Sequence, residues 1–146
     1  MFATVLVLTG CSLTEDRHFA VSRSSAGGLT VWFVNCYNAP TSVSLQEADS
    51  GDLIWLIREA DPASDSFPTH VDVGARPEGY DLVADIQSTE WLKNDKLELD
   101  FGGGEAWGER LTFSPKNLPS NGDVLTFDGR IMSPEQFSSQ SCDERT

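Results

Sequence analysis

Between residues 29 and 132 the sequence is cut into short apolar runs at a spacing of roughly ten residues, each closed by Gly, Pro, Asn or Asp. Such spacing leaves little room for helices and predicts strands joined by tight turns. Residues 29–36 (LTVWFVNC) are rich in β-branched and aromatic side chains and read as a buried strand, with Trp32 in the core. Residues 37–40 are turn chemistry. Residues 41–47 alternate, with Val43 and Leu45 inward, and 48–52 form a hairpin turn. Residues 53–57 (LIWLI) are continuously apolar, which predicts a central strand covered on both faces and a core position for Trp55. A loop over 61–68 leads into a strand over 69–73 around Val71 and Val73.

The second half repeats the pattern. Tyr80, Leu82, Ala84 and Ile86 are spaced to share one face of a strand. Leu97, Leu99 and Phe101 alternate with Glu98 and Asp100, and Leu111 and Phe113 follow as a hairpin partner across the connection GGGEAWGE. Residues 124–127 and 130–132 flank Asp128-Gly129, which suits a type I′ turn. Ser133 and Pro134 can start one helical turn. The fold class is therefore all-β, an antiparallel β-sandwich of about eight strands. The phrase running from Pro77 through Gly79, Tyr80 and Leu82 resembles the turn-into-strand phrase of immunoglobulin-like and prealbumin-like sandwiches, which implies that Tyr80 packs at a sheet corner. Cys36, with Trp55 nineteen residues on, is similar to the Cys and core Trp of immunoglobulin domains. The other downstream Cys sits at the tail rather than after Tyr80. The expectation is thus immunoglobulin-like or a related sandwich, not the immunoglobulin family itself.

The N-terminus reads MFATVLVLTGC. Its apolar run is too short to cross a bilayer, which takes about 20 residues, and matches the apolar region of a secretory signal. Leu8-Thr9-Gly10-Cys11 resembles the bacterial lipobox, where small residues fit the signal peptidase cleft and the Cys thiol receives diacylglycerol. The resemblance implies cleavage before Cys11, lipidation at Cys11 and a lipid anchor in a bacterial membrane, with the protein in the cell envelope outside the cytoplasm. No Lys or Arg precedes the run, and an n-region upstream of Met1 would supply them. The alternative is that residues 1–9 form a buried strand. The expected organisation is a signal peptide over 1–10, the lipidated Cys and a flexible tether over 11–28, and one sandwich domain over 29–146. Phe19 and Val21 leave open a first strand inside that tether.

The chain holds three Cys. With Cys11 lipidated, Cys36 and Cys142 remain as a pair, and an oxidising compartment favours a disulfide between them. Two free thiols are the alternative.

The formal net charge is −13, with the acids scattered and no basic stripe, so nucleic acid is not an expected partner. No P-loop, HExxH, EF-hand, CxxC or GxSxG motif occurs. His70 and Asp72 lie two apart on a strand and hence on one face, but no third ligand or nucleophile accompanies them. The carboxylates Glu98, Asp100 and Glu109 are too common in this chain to single out a pair. No catalytic residues, metal or cofactor are expected, and the chain reads as a binding or structural module. An accessory subunit of an envelope transport or secretion assembly is the alternative, and an envelope hydrolase a more distant one. Trp107, in a loop flanked by glycines, and Trp91 in STEWLKN are the candidate binding residues, for an envelope protein or a glycan. The alternative for each is to cover an end of the sandwich.

Overall fold

A computed structural model describes residues 19–34, 40–60, 68–86, 88–102 and 110–139. Cys11, Cys36, Cys142, Trp107 and Glu109 lie outside the described residues.

Two five-stranded antiparallel sheets pack as a sandwich. The strands in chain order are β1 (Phe19–Arg23), β2 (Leu29–Phe33), β3 (Ser42–Glu47), β4 (Leu53–Glu59), β5 (His70–Asp72), β6 (Tyr80–Asp85), β7 (Leu97–Gly102), β8 (Arg110–Phe113), β9 (Val124–Thr126) and β10 (Ile131–Met132). The first sheet runs β10-β9-β1-β2-β5 and the second β6-β4-β3-β7-β8. Alternate residues face inward, as period-two geometry requires. Phe19, Val21, Val31 and Phe33 from one sheet meet Val43, Leu45, Leu97, Leu99 and Phe101 from the other, all buried. The Phe19 and Phe101 rings meet between the sheets, tilted by 45° with centroids 4.2 Å apart.

Five details depart from the sequence expectations. The tether expected over 11–28 is structured from Phe19 onward. Phe19, Ala20 and Val21 are buried in β1, and residues 24–28 make the β1–β2 turn, with Gly27 at φ 88°. Small and glycine residues serve a hairpin as well as a linker, so composition did not separate the two.

β4 is not covered on both faces. Leu53 is exposed and Leu56 half-buried. The apolar run is continuous because Ile54 is an extra residue in the ladder. Leu45 pairs with Trp55 and Gln46 with Leu53, so Ile54 and Trp55 both turn inward at a bulge.

The same device disturbs β6. Leu82 pairs with Ile57 and Ala84 with Leu56, leaving Val83 as the extra residue, so Tyr80, Leu82, Ala84 and Ile86 do not share a face.

Trp32 faces outward from β2 rather than into the main core. There it joins a second small cluster of Ala20, Val124 and Phe137 under helix α1 (Pro134–Ser138), and its indole N–H donates to Ser22 Oγ at 2.9 Å.

The turn at Asp128-Gly129 is not type I′ either. Among the described residues only glycines have positive φ, and here that is Gly129 at 82°. The Gly129 N–H donates to Thr126 O and the Thr126 N–H to Arg130 O, the pattern of a three-residue loop closed by a glycine bulge. α1 starts as expected. The Ser133 side chain accepts from the Gln136 N–H, and the Gln136 side chain reaches back to the Ser133 N–H.

Candidate functional site

At the end of the sandwich where the β1–β2 turn meets the segment after β6, the chain leaves a cleft of about 400 Å³. Each wall has a local cause. Gly74, at φ 99°, turns the chain sharply after β5, and the Ala75 N–H donates to Asp72 O across that turn. Asp85 ends β6 with its Oδ1 close to Gly74, where a Cβ would come within 3.6 Å. Residues 90–93 form a 3₁₀ turn, with the Glu90 N–H donating to Ser88 Oγ and the Leu92 N–H to Thr89 O. That turn sets Trp91 into the cleft wall.

Trp91 is half-buried. It packs against the main core and lines the cleft at the same time. The carboxylates of Asp72 and Asp85 and the hydroxyls of Ser24, Ser88 and Thr89 line the rest, over a floor of buried Leu29 and Ile54. One flat aromatic ring beside several hydrogen-bonding groups suits a ligand with one apolar face and many hydroxyls. Asp72 is partly committed, accepting from Thr30 Oγ1 at 2.6 Å.

A second cleft of about 390 Å³ adjoins it, sharing Gly28 and Leu29. Leu92 and Lys93 of the same 3₁₀ turn line it, with Arg23 and Lys116. Its cations are largely engaged. Arg23 donates to Pro115 O at 2.9 Å and Leu118 O at 3.3 Å, Lys93 pairs with Glu90 at 3.0 Å, and Lys116 pairs with Asp95 at 3.0 Å.

No protein-family model, characterised protein or solved structure matches this chain.

His70 and Asp72 share the outer face of β5, but they do not form a dyad. His70 stands opposite Trp32 with ring centroids 4.8 Å apart, and Asp72 stands opposite Thr30. Glu98 and Asp100 share the outer face of β7 with Arg110 between them, at 3.6 Å and 3.2 Å. Burial, and then the neighbouring Glu98, raise the Asp100 carboxyl above its usual range, while Arg110 opposes them. This trio lies on the face of the second sheet away from the core, and neither cleft includes it.

Of the two tryptophans expected to bind, Trp91 is in a cleft and Trp107 lies outside the described residues. Sequence reasoning missed Asp72 and Asp85 as neighbours, and missed Ser24 altogether. The available signal was Gly27-Gly28 between the alternating Phe19 and Val21 and the apolar run that begins at Leu29, a hairpin pattern.

Proposed function

We propose that this protein is a binding module of the cell envelope, held to a membrane by lipid on Cys11, that engages a glycan through the cleft walled by Trp91. The observation that carries the reading is the half-buried Trp91 ring beside the Asp72 and Asp85 carboxylates and three hydroxyls. Pyranose rings offer apolar C–H faces to such a ring and hydroxyls to such acceptors. A binding role rather than catalysis is also supported by His70 and Asp72, each engaged with a β2 side chain instead of with each other. The anchor rests on Leu8-Thr9-Gly10-Cys11, and stable attachment takes two or more acyl chains.

Two measurements test the two halves separately. Cys11→Ser is expected to move the protein from the membrane to the soluble fraction; an intact mass that retains Met1 in envelope preparations refutes the anchor. Calorimetric titration with oligosaccharides released from purified cell wall is expected to give binding that Trp91→Ala removes. Equal binding by the variant ends the cleft reading.

A further inference from the structure

We propose that the Trp91 cleft selects a saccharide carrying a free ammonium group, and that Asp85 recognises that group. The inference rests on the cleft being a glycan site and names the class of glycan it takes.

Asp85 stands in an unusual place for an acid. In register it lies directly opposite Trp55, which is fully buried between the sheets, so Asp85 is on the inner face of its own sheet. There, at the open end of the sandwich, it is half-buried and lines the cleft. Gly74 leaves the space beside Asp85 Oδ1 free of a side chain. Among the described residues no hydrogen bond or ion pair engages the Asp85 carboxylate. A charge drawn partly out of water without a partner is costly, and a ligand of opposite charge relieves that cost.

The surroundings decide the sign and kind of ligand. Asp72 lines the same cleft, and no Lys or Arg does. Arg23, Lys93 and Lys116 line the adjoining cleft, each held by partners of its own there. A neutral sugar seated against Trp91 strips water from two carboxylates and returns no charge, and an acidic sugar is repelled. An ammonium on the sugar ring compensates both carboxylates. The face of Trp91 attracts a cation as well as C–H groups. Asp85 makes the main contact, because Asp72 Oδ1 already accepts from Thr30 Oγ1 at 2.6 Å. A bare divalent cation fits less well. Calcium takes about six to eight oxygen ligands, and no group of three metal-binding side chains occurs among the described residues.

The test uses the full chain and two sugars of one backbone, chitosan tetrasaccharide with free amines and its fully N-acetylated counterpart. Calorimetric titration is expected to show the free-amine sugar binding about tenfold more tightly, the gain of one charge-assisted hydrogen bond. That margin is expected to shrink with added salt. Asp85→Asn is expected to erase the margin and to melt no lower than the parent, so that lost preference is not lost fold. Asp72→Asn is expected to reduce the margin, and Trp91→Ala to weaken both sugars. Equal binding of the two sugars by the parent, or a margin that survives in Asp85→Asn, overturns the proposal. So does equal competition by a capped lysine, which carries the charge without the ring. Binding of neither sugar overturns it too, while titration with cell-wall oligosaccharides decides the glycan reading by itself.

Discussion

The phenolic hydroxyl of Tyr80 donates to the carbonyl of Pro40, forty residues away in sequence. Tyr80 opens the edge strand β6, and Pro40 is a buried residue just ahead of β3. The bond ties the entrance of a central strand to the start of an outer one. Burial, and then the nearby Glu59 carboxylate, push the Tyr80 phenol from 10.0 up to about 12.

That shift fixes a pH dependence. The native state holds the phenolic proton more tightly than the unfolded chain does, so the contribution is complete below pH 10 and is lost as pH rises toward about 12. Tyr80→Phe is expected to leave the Pro40 carbonyl unpaired at a cost of about 1–3 kcal/mol. It is also expected to flatten this part of the alkaline slope. Urea unfolding at pH 8 and pH 11 checks both, and an unchanged slope rejects the assignment.

Asp100 shows the same sign at acid pH. Its Oδ1 is shut away from solvent and makes no hydrogen bond, although Arg110 Nε lies 3.2 Å away, close but poorly aligned. Because the native carboxyl is raised above 3.8, folding favours its neutral form, and this contribution is lost as pH rises through the native value. Asp100→Asn is therefore expected to be more stable than the parent at pH 7 and about equal to it near pH 3. Arg110→Ala is expected to destabilise at pH 7 by no more than about 1 kcal/mol, since Arg110 is largely exposed. Melting curves at the two pH values decide the matter.

Helix α1 is only five residues long and depends on its cap and one anchor. Ser133→Ala is expected to cost about 1 kcal/mol by removing the capping box. Phe137→Ala, which empties the centre of the outer cluster with Ala20 and Val124, is expected to cost about 3–5 kcal/mol. Denaturant midpoints of the two variants give the ratio. Equal effects would mean that the cap and not the packing holds the helix.

Two tryptophans separate fold from site. Trp55 is fully buried, with its indole N–H donating to Ala75 O at 3.3 Å, and Trp55→Ala is expected to cost about 3–5 kcal/mol. Trp91 is half-buried, and Trp91→Ala is expected to cost clearly less. Thermal melting of the pair checks this. If Trp91→Ala is the more destabilising, Trp91 is a structural plug before it is a binding residue.

The sequence by itself determined the class of fold. Period-two alternation and frequent turn residues depend only on near neighbours, and they specified strands such as β3, with Val43 and Leu45 inward, and β7, with Leu97, Leu99 and Phe101 inward. The capping signal at Ser133 was legible for the same reason. Tertiary structure alone decided which strands are edges, and so why Leu82 is exposed although its alternation sets it on one face with the buried Tyr80. It decided the bulges at Ile54 and Val83, because an extra residue is defined only against the partner strand. It turned residues 24–28 from a tether into a hairpin, since β1 is stable only when it is paired with β2 and β9. The cleft was illegible for the same cause. Ser24, Asp72, Asp85 and Trp91 come from four separate segments, and only the packing of the two sheets brings them to one end.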